Sequence, residues 1–130
     1  MPPAQECVRM KADVAELWER LRHLAFEADD QECLAAPEQE LVDIANSLGI
    51  ATSKALPDLR RNRRAFIEQC EDRSRAASQR FGKALLEAEK LRNEKRTDEI
   101  QELFNDLLSS EEIPFYRELI QNEIDRHSDA

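Results

Sequence analysis

The chain has 130 residues, of which 41% are hydrophobic and 36% are charged, and its formal net charge is −9. This length fits one domain, and a charged fraction above the ~25% of ordinary globular domains favours helices with wide exposed faces. No apolar run approaches the ~20 residues of a membrane span, and the acidic balance disfavours nonspecific binding to nucleic acid.

The cysteines argue against a disulfide framework and against a zinc site. Cys7, Cys33 and Cys70 are odd in number, and no two of them are spaced as Cys-x-x-Cys. The first residues lack the basic and apolar regions of a signal peptide. We therefore expect reduced thiols, a cytoplasmic protein, no metal or other cofactor, and no membrane association.

The first half of the chain predicts two helices. Good helix formers dominate the composition, and only two glycines and five prolines interrupt it. A helix over about 5–28 carries an apolar heptad stripe, which Trp18 widens to the breadth typical of a bundle helix. A second helix over about 38–48 begins after Pro37 and ends before Gly49, which suits a left-handed cap.

The second half predicts one long helix followed by two shorter ones. The long helix covers about 58–94, contains only Gly82 as a weak point, and would be ~55 Å long. Helices over about 98–108 and 113–127 follow it. The sequence therefore predicts an all-α bundle of about five helices with coiled-coil-like packing around the long central helix, as a single domain over residues 1–130.

The apolar side chains of these helices predict a packing seam, either within one chain or between two copies. Because the long helix outreaches its neighbours, part of it is free to contact a second protein, and a homodimer is one option. The predicted seam residues are Met10, Val14, Leu17, Trp18, Leu21, Leu24, Ile67, Phe81 and Leu91.

Charge is distributed unevenly along the chain. Residues 1–53 hold 4 basic and 11 acidic side chains, residues 54–96 hold 13 and 7, and residues 97–130 hold 2 and 10. The resulting net charges are −7, +6 and −8. Either the acidic helices neutralise the basic one internally, or the charged faces meet partners of opposite sign, including a protein with a basic surface.

The densest charge cluster is the candidate binding site. Four guanidinium groups within five residues cannot all share one helix face, so some must point at solvent, at carboxylates of the same chain, or at a partner. The alternatives are internal pairing and binding of an acidic protein surface or nucleic acid. The cluster comprises Arg60, Arg61, Arg63 and Arg64.

Upstream of this cluster, residues 41–50 resemble the first helix and turn of helix-turn-helix DNA-binding proteins. Ala45, Gly49 and Ile50 match the family's small helix residue, its turn glycine and the following apolar residue. The resemblance implies a recognition helix from Thr52 to about Arg60. Pro57 departs from the family's pattern, because proline inside a helix removes a backbone hydrogen bond.

Catalytic or metal chemistry has less support in the sequence. His23 and His127 are the only histidines, and each follows a glutamate by one helical turn, Glu19 and Glu123. Two such pairs could hold a metal in a small helical bundle, although the Glu-x-x-His spacing of di-iron bundles is absent. No glycine-rich phosphate loop occurs, and no catalytic residues are predicted.

These patterns predict a non-enzymatic helical module for protein–protein interaction: an adaptor, regulator or inhibitor that acts through apolar stripes and charge complementarity. The alternative is a DNA-binding transcriptional regulator that uses a degenerate helix-turn-helix at about 41–64. The third hypothesis is a small metal-binding helical bundle.

Overall fold

A computed structural model describes the backbone of residues 3–128 and the side chains of residues 14–127, and this part of the chain contains helices and no strand. The structure confirms the all-α class. None of the described helices has the length and apolar character needed to cross a membrane. The seven helices are α1 Pro3–Phe26, α2 Asp30–Ala35, α3 Glu38–Ser47, α4 Thr52–Arg61, α5 Arg63–Asn93, α6 Asp98–Ser110 and α7 Pro114–Ser128.

The short helix α2 lies between the two helices that the sequence predicts over about 5–28 and 38–48, where no helix was predicted. Its cap explains why it forms there: the carboxylate of Asp29 accepts a hydrogen bond from the backbone N–H of Glu32 at 2.8 Å. An aspartate at this position satisfies an amide that has no partner within the helix. Cys33 is the buried side chain of α2.

Asn62 separates α4 from α5, so the long helix begins at Arg63 rather than at the predicted residue 58. Asn62 is extended, with φ −160° and ψ 100°, which ends α4. Its side-chain oxygen then accepts a hydrogen bond from the backbone N–H of Ala65 at 3.1 Å, as an N-cap does. The predicted single helix over 58–94 is therefore the end of α4 followed by α5.

A tight turn after α3 reverses the chain into α4. The backbone N–H of Ile50 donates to the carbonyl of Ala45 at 2.9 Å, and that of Gly49 donates to the carbonyl of Asn46 at 3.1 Å. This pair of bonds is the Schellman motif, and it requires a left-handed residue, which Gly49 supplies with φ 80°. The turn glycine predicted from the sequence thus ends α3.

The described chain divides into two compact units, residues 1–74 and residues 75–130, with the boundary inside α5. The assignment of residues 1–130 to a single domain stays a prediction. In the first unit, α1 packs on α3 and α3 packs on α4. The Trp18 indole N–H also donates to the Ser47 hydroxyl at 2.9 Å. The core of this unit includes Leu21, Leu24, Leu41, Ile44, Ala45, Leu48, Ala55, Leu59, Phe66, Ile67 and Cys70.

Cys70 is a core side chain of the first unit whose pKa is changed by its surroundings. Its thiol is free and buried. Burial raises the pKa of Cys70 to about 12, because the apolar surroundings disfavour the thiolate, although Arg73 acts in the opposite direction. The thiol is therefore protonated throughout the neutral pH range.

The second unit has an apolar core and an ion pair whose carboxylate is buried. The carboxylate of Glu111 is buried and accepts from Arg80 at 3.1 and 3.2 Å. It also accepts from the backbone N–H groups of Glu112 and Ile113, just ahead of α7. A buried carboxylate is tolerated only when it is paired in this way. The core comprises Ala84, Ala88, Leu91, Ile100, Phe104, Ile120 and Ile124.

His23 joins the last turn of α1 to α2. Its Nδ1 lies 3.0 Å from a carboxylate oxygen of Glu27, and its Nε2 lies 2.7 Å from one of Glu32. The hydrogen bond with Glu32, followed by that with Glu27, raises the pKa of His23 above its ordinary value. The protonated ring donates to both carboxylates, whereas a neutral ring can donate to only one.

The two glycines are expected to respond in opposite directions to replacement by alanine. Gly49→Ala should destabilise the protein by about 1–2 kcal/mol, because φ at this position is left-handed. Gly82→Ala should stabilise it by about 1 kcal/mol, because the new Cβ meets nothing within 4 Å inside α5. Urea denaturation of the two single variants measures both changes, and a shift of the same sign in both would contradict the structure.

His23→Gln is expected to lower the melting temperature at acidic pH and to have less effect at alkaline pH. The pKa of His23 is raised in the folded chain. Its stabilisation is therefore complete below the unfolded-state pKa and disappears as the pH rises through the folded-state pKa. Melting curves about one unit below and about three units above the ordinary histidine pKa test this. An equal difference at both pH values would refute the role of the protonated ring.

Candidate interaction site

The most prominent concave surface beside the arginine cluster lies between α2 and the junction of α4 with α5. We call it the arginine hollow. Its walls are residues 59–64 on one side and Asp30, Cys33 and Leu34 of α2 on the other, and it has a volume of about 540 Å³. Because Asn62 ends one helix and caps the next, the four arginines are divided between the end of α4 and the start of α5.

Arg60 is held in an internal ion pair with α3. Its Nε and Nη2 donate to the two carboxylate oxygens of Glu38 at 3.0 and 2.7 Å. This bidentate arrangement lowers the pKa of Glu38, chiefly through the hydrogen bond with Arg60. Arg60 is therefore paired within the chain, although its side chain remains exposed to solvent.

Arg63 and Arg64 bind the ends of preceding helices. Arg63 Nη1 donates to the carbonyl of Ala36 at 2.5 Å and to that of Cys33 at 3.4 Å. Arg64 Nη1 donates to the carbonyl of Ala28 at 3.1 Å and lies 3.2 Å from Cys33 Sγ. Carbonyls at helix ends lack partners within their own helix, so these arginines satisfy them and fix the wall of the hollow.

Arg61 differs from its three neighbours because it is exposed and makes no hydrogen bond or ion pair with any described residue. Arg63 bonds carbonyl groups and forms no direct ion pair within the described side chains, although its charge helps to lower the pKa of Glu38. The hollow thus contains two guanidinium charges without an opposing carboxylate bound to them. Asp30 is the acidic residue on its wall.

Leu34 supplies an exposed apolar wall to the hollow. Its side chain is 68% exposed, although it lies in α2 directly after the buried Cys33. Leu34 was not predicted as a site residue, because α2 itself was not predicted. Phe26 in α1 and Leu86 in α5 are also exposed, by 65% and 69%.

Four of the nine predicted seam residues are buried in the cores of the two units. Trp18 is half-buried, and Phe81 is half-buried with its ring 6.1 Å from that of Tyr116. Met10 lies outside the described side chains. The buried seam residues therefore pack within one chain. Among the rest, Leu21, Leu24, Ile67 and Leu91 are buried, whereas Val14 and Leu17 are half-buried.

The segment that resembles a helix-turn-helix has the corresponding backbone arrangement. Two helices, α3 and α4, are joined by a four-residue turn, as in that motif. Ala45 is fully buried and Gly49 occupies the left-handed turn position. α4 covers the implied recognition helix and includes Pro57, whose missing N–H removes one bond without ending the helix. Its exposed side includes Lys54, which has no described partner.

The histidines are not brought together with carboxylates in a way that suits a metal ion. No group of three or more potential ligands for a metal is found in the described part of the chain. His23 contacts Glu27 and Glu32 through opposite ring nitrogens, so the three groups cannot share one ion. His127 Nε2 lies 3.7 Å from Glu123, and its ring stacks on Phe104.

Comparison with known proteins identifies a family to which the chain is related. No curated protein and no solved structure matches the chain. A family model described as a protein of unknown function, DUF2379, matches residues 16–127. Because this match includes both units and nearly all of the described side chains, the chain belongs to the DUF2379 family.

Proposed function

We propose that the chain is a non-enzymatic helical module that binds another protein at the arginine hollow. The observation that carries this proposal is the exposed Leu34 beside the unpaired Arg61 on the walls of one hollow. A partner that docks in the hollow can cover the exposed leucine with an apolar side chain of its own. Arginine is also enriched at protein interfaces, where it often contributes a large share of the binding energy.

The rigidity of the hollow supports the same proposal. Arg60, Arg63 and Arg64 are held by a carboxylate and by helix-end carbonyls, so the wall around Arg61 is formed before any partner arrives. A preformed wall avoids the free-energy cost of ordering those side chains on binding. Only Arg61 and Leu34 need to be immobilised when the partner docks.

The cellular role that we propose is that of an adaptor, regulator or inhibitor in the cytoplasm. Cys33 and Cys70 are buried and unpaired, and reduced thiols are typical of that compartment. The expectation that the partner presents a basic surface rested on the acidic ends of the chain. The hollow instead favours a partner that carries negative charge where it meets Arg61.

A DNA-binding regulator is the second candidate, and one observation favours it. α3 and α4 follow each other across a four-residue turn that contains Gly49, as the two helices of a helix-turn-helix do, and Lys54 and Arg61 on α4 lack described partners. The net charge of −9 weighs against this candidate, because affinity for DNA depends largely on neutralising phosphates. A shared fold also does not establish a shared function.

Selection of peptides from a random display library against the purified protein tests the first candidate. Peptides that bind the wild type are expected to lose about tenfold or more in affinity for Leu34→Ser, because the variant removes the apolar wall. Leu86→Ser is the matched control, since Leu86 is equally exposed but does not line the hollow. Failure to select any peptide that depends on Leu34 would refute the proposal.

Fluorescence anisotropy with random duplex DNA at low salt tests the second candidate. If α4 contacts DNA, the wild type binds, the affinity falls steeply with salt, and Lys54→Glu abolishes binding. Arg22→Glu is the control, because Arg22 is exposed on α1 and has no described partner. Absence of binding by the wild type, or equal losses in both variants, would eliminate DNA recognition through α4.

A further inference from the structure

We infer that the arginine hollow takes an acidic peptide segment in which two carboxylate side chains flank one apolar side chain. This inference rests on the proposed function and specifies the chemistry of the partner. It follows from three features of the hollow: an exposed leucine, an unpaired guanidinium, and a second guanidinium that bonds only neutral groups.

The charge of the hollow determines how many carboxylates the segment needs. Arg60 is neutralised by Glu38 at 2.7 Å, and Arg64 lies 3.6 Å from Glu68. Arg61 and Arg63 have no such partner in the described structure. Arg61 and Arg63 therefore each keep guanidinium donors that a carboxylate of the segment can take, while Asp30 contributes one opposing charge on the wall of the hollow.

The guanidinium groups favour carboxylates in particular. A guanidinium is planar and presents five N–H donors, and a carboxylate accepts two of them side by side. Arg60 and Glu38 already show this bidentate geometry at the edge of the hollow. Arg61 has all its donors available, and the hydrogen bonds of Arg63 to described residues use only Nη1.

Leu34 determines the apolar part of the segment. Its side chain faces the same hollow as Arg61, so a ligand that reaches the guanidinium also lies against the leucine. Burial of an exposed leucine is favourable only if an apolar group covers it. A purely acidic segment would leave Leu34 in water, whereas an apolar side chain between two acids covers it.

Asp30 sets a limit on the partner. Its carboxylate is on the wall of the hollow and contributes to the charge interactions of Arg64. A ligand with dense negative charge, such as a nucleic-acid backbone, would meet this carboxylate as well as the arginines. A peptide with two spaced acids can keep both of them away from Asp30, and this favours a protein partner over a polyanion.

The experiment uses fluorescence polarisation with the full chain and a short acetylated, amidated peptide of two aspartates around one leucine. Matched peptides carry asparagine for both aspartates, glutamine for leucine, or phosphoserine for both aspartates. We expect the aspartate–leucine peptide to bind about tenfold or more tightly than the asparagine and glutamine peptides, and to weaken with added salt.

Protein variants assign the effect to the hollow. Arg61→Glu should abolish binding of the aspartate–leucine peptide, and Arg61→Lys should retain part of it, because lysine keeps the charge but loses the planar fork. Arg22→Glu carries the same charge change outside the hollow and should bind as the wild type does. Circular dichroism melting of each variant confirms that it is folded.

Three results would overturn the inference: equal binding of the asparagine and aspartate peptides, tighter binding of the phosphoserine peptide, or equal losses in Arg22→Glu and Arg61→Glu. The peptide selection tests the proposed function independently of this inference. If the peptide selection yields ligands that depend on Leu34 but carry no acids, the interaction module stands and only the acidic specificity is wrong.

Discussion

Backbone carbonyls that follow α1 and α2 have no hydrogen-bond partners within those helices. Arginine side chains in the first turn of α5 donate hydrogen bonds to them. The guanidinium groups of Arg63 and Arg64 donate to the carbonyls of Ala36 and Ala28 and hold the start of α5 against α2. A six-residue helix is too short to be stable alone. The position of α2, and with it the exposure of Leu34, therefore depends on these two arginines.

Helices with strong apolar periodicity were predictable from the sequence, and those without it were not. The bounds of α3, α6 and α7 lie within two residues of the prediction, because apolar spacing and punctuation by Gly49 and Pro114 agree there. α2 was missed because it buries little apolar surface. α4 was implied by the helix-turn-helix resemblance but not by the apolar pattern, which placed a helix start at about residue 58, whereas the actual boundary is at Asn62.

The candidate site was predictable in its residues but not in its contacts. A dense arginine cluster is visible in any sequence, yet the partner of each guanidinium depends on where α2 and α3 pack. Glu38 and Arg60 are 22 positions apart, and no local pattern relates them. The same limit applies to Glu111, which reads as one more acidic residue but is buried beneath Arg80.

The uneven charge of the sequence is partly resolved within the fold. Arg60 pairs with Glu38, and Arg80 pairs with Glu111, so residues of the basic segment contact acids from both flanking segments. Arg20 and Glu40 add a pair within the acidic first segment at 2.5 Å. An exposed pair such as Arg60–Glu38 contributes little to stability. Arg61 and Arg63 are the members of the cluster that form no ion pair within the described structure.

The protonated thiol of Cys70 has a consequence for the kinetics of the first unit. Only a thiolate reacts appreciably with alkylating reagents or oxidants, and burial raises the pKa of Cys70 to about 12. The folded state therefore protects this sulfur twice, by exclusion of the reagent and by suppression of the reactive form. Modification of Cys70 must wait for α5 to separate from its neighbours, so the labelling rate of this thiol records how often the first unit opens.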